Sequence, residues 1–248
     1  MNYSQYQSIS KDLFKILKVA KEVENLSNGY YNIMLGKVSS SLGFAPDFGK
    51  NTLQEIATSY DLDEKNNSLI RYSKNWFDLS SIAKGYAVQK VHNYLSKNNL
   101  NNHLIDIGGE IIISGSKKGK PWNIGIQNPL SKIESSTITI NNGKYEFLAI
   151  ASSGEYRNFI YDNSGNKITH TINPKTLTSI NNDVLSVTVI SETSATYADA
   201  FATAFNAMGV DNAMKVSNEN NISTMIIYRD KNNVNTIYSD KWYDLFYE

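Results

Sequence analysis

Val184-Leu185-Ser186-Val187-Thr188-Val189-Ile190, and after three polar residues Ser194-Ala195-Thr196-Tyr197-Ala198-Asp199-Ala200-Phe201-Ala202-Thr203-Ala204-Phe205, set a β-branched run directly before an Ala-rich one. The first has the composition of a strand, and the second that of a helix opening at Ser194. Upstream, short β-branched and aromatic runs recur at Leu104 to Ile107, Ile111 to Ser114, Trp122 to Ile126, Ser136 to Ile140, Tyr145 to Ile150 and Phe159 to Tyr161. Asn141-Asn142-Gly143 and Asn163-Ser164-Gly165-Asn166 punctuate them, which predicts hairpins and antiparallel pairing. Helices interspersed in a largely antiparallel set of strands make the fold class α+β.

The same reading extends to both ends. Leu13, Phe14, Ile16, Leu17, Ala20 and Val23 recur at helical spacing after Ser10, and Asn28-Gly29 supplies a stop. Thr52 and Glu55 have capping-box spacing and predict a second, shorter helix. Ser68 to Tyr72 and Trp76 to Leu79 read as strands. Ser80 or Ser81 is then expected to cap a long helix through Ile82, Ala83, Tyr86, Ala87, Val91 and Tyr94, closed by Lys97-Asn98-Asn99. After the Ala-rich segment come helical residues around Val210 to Val216. A last hairpin follows, Thr224 to Tyr228 and Val234 to Tyr238. No repeat and no Pro-, Gly- or Ser-rich linker divides the 248 residues, so residues 1–248 read as one domain.

Composition narrows the chemistry. Lysine plus arginine and aspartate plus glutamate are both 24, so no net attraction to nucleic acid or an anionic membrane is expected. The absence of cysteine removes thiol catalysis, disulfides and Cys-ligated metals. No run approaches the ~18 apolar residues of a membrane span. Met1-Asn2-Tyr3-Ser4-Gln5-Tyr6 lacks the charged and apolar regions of a signal peptide.

Several segments carry groups that do chemistry. Asp199 and Thr203 lie four residues apart, so on a helix they share one face and offer two hard oxygen donors suited to Mg²⁺. An Asp in a first helical turn is equally what the helix dipole favours. Asp78-Leu79-Ser80-Ser81-Ile82-Ala83-Lys84-Gly85 enters a helix with an acid before it and a lysine one turn in, an anion-binding arrangement. The plainer account has Asp78 capping and Lys84 solvated. Asp106-Ile107-Gly108-Gly109-Glu110 brackets a double glycine with acids, either for close approach to a ligand or as a simple turn. Of three histidines, His170 alone lies among polar turn residues at a strand end, where a general base is possible. His92 and His103 read as surface or packing residues.

Taken in order, Asn28 to Asn32, Asp78 to Ala87, Asp106 to Glu110, Ala151 to Tyr156, His170 to Pro174 and Ala198 to Thr203 resemble the ApbE family of FAD:protein FMN transferases. The resemblance covers nearly the whole chain from about Ser10. It implies an ApbE-like fold and an enzyme that binds FAD and Mg²⁺. FMN would pass to a threonine or serine hydroxyl of a target protein through a phosphoester, with AMP released. Matched residue by residue, Asp199 and Thr203 fall on magnesium ligands, and Ser81 on the position whose carbonyl completes that site. Asp78, Lys84, Tyr30, Tyr31, Asn32 and Ile172 fall on or beside FAD contacts. His170, and with it Asp106, are the bases that could take the acceptor's proton. The chain carries Asn32 where the family usually has Asp, serines at 80 and 81 where it has Gly or Ala, and Leu177 where it has Gly. It also begins after the family's N-terminal strand and a covering segment. The family commonly works outside the cytoplasmic membrane, so an exported location is expected. Hydrolysis of FAD to FMN and AMP, and non-catalytic flavin binding, are the competing readings.

Overall fold

The computed structural model describes residues 5–46, 60–130, 136–154, 159–161, 164–165 and 167–246. In chain order the elements begin with β1 (Gln5–Ser8), α1 (Lys11–Leu26), α2 (Gly36–Ser41), β2 (Tyr60–Asp63), β3 (Ser68–Arg71) and α3 (Ala83–Lys97). Then come β4 (His103–Ile107), β5 (Glu110–Ser114), β6 (Asn123–Gln127), β7 (Ser136–Asn141) and β8 (Phe147–Gly154). Short strands follow: β9 (Phe159–Tyr161), β10 (Lys167–Thr169), β11 (Ile172–Asn173) and β12 (Thr178–Ser179). The chain ends with β13 (Val184–Ser191), α4 (Ala195–Met208), α5 (Val210–Glu219), β14 (Ser223–Asp230), β15 (Asn233–Tyr238) and α6 (Asp240–Phe246).

The α+β expectation holds. The main sheet has six strands in the order β15-β14-β13-β8-β5-β4, and every neighbouring pair in it is antiparallel. Alternation along the central strands gives it two dry faces. Val187 and Val189 of β13 and Ala151 of β8 point into a cluster with α1, α4 and α5. Ile190, Leu148 and Ile150 point the other way, into a cluster with the β6–β7 hairpin and α6 around Trp242. Strands covered on both sides read as nearly continuous apolar runs, which is the pattern of Val184 to Ile190.

α4 is the central helix. Its Ser194 cap accepts the Tyr197 amide, and nearly every residue from Ala195 to Met208 is buried. Burying Phe201 and Phe205 contributes roughly 1.5–3 kcal/mol each. α3 crosses close to it. A Cβ placed on Gly85 would lie 2.4 Å from the Ala195 carbonyl oxygen and 2.6 Å from the Asp199 Cβ. The helices can approach this closely only because residue 85 has no side chain.

Three sequence expectations are modified. Trp76 to Leu79 forms no strand. It makes single backbone bonds to another loop, Gly36 N to Trp76 O and Asp78 N to Ile33 O, instead of a ladder. Neither Ser80 nor Ser81 caps α3, whose N-cap is Ile82 without a side-chain bond. The Asp78 carboxylate takes the Ser80 amide instead. β8 runs on to Gly154, past the expected end at Ile150, because β13 pairs with it through Ser186↔Gly154. The helix expected from Thr52 lies outside the described residues.

The Gly85 contact yields a test. Gly85→Ala sets a methyl against a backbone carbonyl that cannot rotate away, so it should cost about 1–3 kcal/mol. Urea unfolding should show a lower midpoint with an unchanged slope.

Candidate active site

One cavity, of about 280 Å³, opens beside the N-terminus of α3 and the face of α4 that carries Asp199 and Thr203. Three segments distant in sequence supply its walls. The loop after α1 brings Tyr30, Tyr31 and Asn32, the entry to α3 brings Asp78, Ser81 and Lys84, and the turn before β11 brings His170 and Ile172. Asp199 and Thr203 complete it, so ten of the eleven residues singled out from sequence line the same space.

Asp106 is the exception. Its carboxylate is exposed and accepts the Gly109 amide at 2.9 Å, holding the β4–β5 turn, and it lines an adjoining groove instead of the cavity. The double glycine thus serves a turn, with Gly108 and Gly109 at φ of 65° and 99°. The acid that does face the cavity is Glu110, two residues beyond that turn's first glycine. It belongs to the same sequence segment as Asp106, and the strand alternation after the turn is what selects it. Its Oε2 lies 2.5 Å from Lys84 Nζ, with the Glu110 side chain 3% exposed. Burial raises the Glu110 pKa although Lys84 opposes the shift.

Asp199 is the most perturbed acid. It is 4% exposed, and its Oδ2 accepts the Gly85 amide at 2.8 Å from the first turn of α3. Burial, with the nearby Glu110 charge adding to it, pushes its pKa up to about 7. Two buried carboxylates facing one lysine leave surplus negative charge in a place with little water. A divalent cation would relieve that imbalance, and Asp199, Thr203 and Ser81 could offer it hard oxygens of the kind Mg²⁺ prefers. Among the described residues no three His, Cys, Asp or Glu side chains gather as a metal cluster. An ion at this place would draw on the hydroxyl, the carbonyl and substrate oxygens.

The remaining walls are held by neighbours. Burial raises the pKa of the Tyr31 phenol, and its hydroxyl lies 3.0 Å from Ser81 Oγ, fixing the entry to α3 against the loop after α1. Asn32 donates its amide to Glu24 Oε1 at 2.9 Å and accepts the Met34 amide at 2.7 Å. A carboxylate at 32 would face Glu24 without a donor, so the amide fits its surroundings here. Sequence reasoning missed Asn206, fully buried on α4. Its amide reaches Ser153 Oγ and Thr171 Oγ1, each at 3.3 Å, and so ties the end of β8 to the segment bearing His170. A polar residue in an Ala/Phe helix face was the available signal. The His170 ring meets Phe44 edge-on at 6.3 Å between centroids.

Comparison with known proteins bears on the family and the fold. The sequence model of the ApbE family matches residues 1–226. A Vibrio cholerae protein named FAD:protein FMN transferase is 33% identical over 233 residues, covering 90% of this chain and 68% of its own. A Haemophilus influenzae protein of the same name is 32% identical over 242 residues, again covering 90% and 68%. The solved structure of the flavin transferase ApbE from Vibrio cholerae matches with a TM-score of 0.82 at 28% identity, over 99% of this chain and 80% of that one.

The raised Asp199 pKa has a stability consequence with a definite sign. Between its unfolded value of 3.8 and about 7 the folded chain holds a proton that the unfolded chain has released. Stability of the chelator-treated protein should therefore fall as pH rises through that window and level off above it, by roughly 3–5 kcal/mol for this group. Urea titrations from pH 4 to 8 should show the decline. Asp199→Asn should remove most of it, leaving the smaller contributions of Glu24 and Glu110, whose pKa values burial also raises.

Proposed function

This chain belongs to the ApbE family and is an FAD:protein FMN transferase, and we propose that it works with Mg²⁺, modifies a threonine or serine hydroxyl and releases AMP. The observation that carries the reading is the cavity itself, where Lys84, the buried Asp199 and Glu110, Thr203 and His170 converge. An elongated ligand suits it, because a second depression of about 350 Å³ shares Tyr30 and Ala207 with the first and continues past Asn173.

The reaction joins the acceptor oxygen to the FMN phosphorus and breaks the bridging P–O bond. AMP leaves with that bond's electrons, and the acceptor's proton must go to a base. His170 is the ring at the cavity wall suited to take it. Lys84 points its charge into the same space, where negative charge grows on the departing phosphate. Bound Mg²⁺ would supply further positive charge at the pyrophosphate, held by Asp199, Thr203 and the Ser81 carbonyl. Tyr31, kept neutral by burial, orients Ser81. Ile172 and Tyr30 give the flavin or adenine ring apolar surface.

Incubating the chain with FAD, Mg²⁺ and an acceptor protein should give in-gel flavin fluorescence and one AMP per flavin attached. AMP without attached flavin would instead establish hydrolysis, and FAD retained with neither product would establish a flavin carrier. His170→Ala should slow transfer by about 10²–10⁴-fold while FAD binding persists. Asp199→Ala should abolish the Mg²⁺ dependence of both transfer and thermal stability, read by activity and by melting with and without the ion.

A further inference from the structure

Asn206 is fully buried on α4, and half of its amide is unpaired. Its Nδ2 donates to Ser153 Oγ and Thr171 Oγ1 at 3.3 Å each, whereas its Oδ1 meets no hydrogen-bonding group. Turned the other way, the amide would leave two N–H groups unpaired in place of one oxygen, so the observed orientation costs less. That orientation decides what the two hydroxyls can do. A hydroxyl that accepts from an N–H keeps its own hydrogen to donate. Among the described residues Asn206 is the sole side-chain partner of either hydroxyl, and both Ser153 and Thr171 line the cavity. Thr171 is 3% exposed, so its hydrogen is directed to a ligand in the cavity more readily than to bulk water.

Placement along α4 says which part of a ligand this pair meets. Asp199, Thr203 and Asn206 are spaced i, i+4, i+7 and form one stripe of the helix. At 1.5 Å per residue Asn206 lies about 10 Å along the axis from Asp199. Lys84, the one lysine or arginine among the described residues of the cavity wall, belongs to the Asp199 end through its neighbour Gly85. Phosphates are suited to that end. The hydroxyl end suits an uncharged group that accepts hydrogen bonds, and Ile172 and Ala207, next in sequence to Thr171 and Asn206, add apolar wall there. Paired donors beside an apolar surface match the edge of a heterocyclic ring.

We propose that Asn206 is a positioning residue that turns the Ser153 and Thr171 hydroxyls into a pair of hydrogen-bond donors for a neutral ring edge of FAD. The inference rests on the transferase reading above. Both rings of FAD carry such acceptors, the flavin in its carbonyl oxygens and ring nitrogens and the adenine in its ring nitrogens. The amide sets the polarity of the pair, because an acceptor in its place would take the two hydrogens for itself.

The test is FAD affinity, titrated by flavin fluorescence at pH 8 with Mg²⁺ and without acceptor protein. Ser153→Ala and Thr171→Val should each weaken binding about three- to tenfold. Asn206→Asp keeps the shape but, ionised, only accepts. It should draw both hydrogens away from FAD and weaken binding more than Asn206→Leu, which leaves the hydroxyls free to turn toward the ligand. A mere tie between β8 and the segment before β11 predicts the opposite order, since the carboxylate keeps both bonds and the leucine keeps none. The visible band of bound FAD tells the rings apart. A band that moves between wild type and Thr171→Val assigns the pair to the flavin, and an unmoved band with weakened binding assigns it to the adenine. Unchanged affinity in either hydroxyl variant, or a loss in Asn206→Leu equal to or greater than that in Asn206→Asp, would overturn the proposal and leave the transferase reading intact. A wild-type chain that binds no FAD would remove both.

Discussion

The bond from the Gly85 amide to the Asp199 carboxylate, 2.8 Å long and sealed from water, is the constraint on which the site depends. It fixes the start of α3 against the middle of α4, and so fixes Lys84 and Ser81 relative to Thr203. The geometry is bought with a residue that has no side chain, since any Cβ at 85 would strike the Ala195 carbonyl. The carboxylate cannot escape into solvent, and Glu110 crowds it from the β5 side. An arrangement costly for the empty protein is one that the proposed cation, with Lys84, would turn to use at the pyrophosphate.

Much of this was legible in the residues. The strand and helix flanking Ser191 to Thr193, the amphipathic α1 and the hairpins between His103 and Ile190 follow from periods of two and 3.6, and the sheet places them as expected. What periodicity does not carry is the outcome of competition between neighbours. Trp76 to Leu79 has strand composition, yet its backbone bonds go singly to the loop at Ile33 and Gly36, so no ladder forms. The length of β8 is likewise set by β13, its partner 32 residues later at Ser186↔Gly154, and no local signal marks that end.

The site shows the same division. The i, i+4 spacing of Asp199 and Thr203 predicts a shared face, and the face exists. Asp106 and Glu110 are equivalent as letters on either side of two glycines. Only the turn decides between them, spending Asp106 on the Gly109 amide and carrying Glu110 to Lys84. Asn206 stands out in the sequence only as a polar residue on an Ala/Phe helix face, and its role follows from its two long-range partners, Ser153 and Thr171.

The β4–β5 turn then links electrostatics to access. Because strand residues alternate, a two-residue turn exposes different side chains to its two sides, charged Glu110 toward the cavity and apolar Ile111 toward the groove. The wall between the cavity and the adjoining groove is thus one backbone thick, with Glu110 on one side and Ile111 on the other. Beyond the turn the wall stops, where β8 outruns β5.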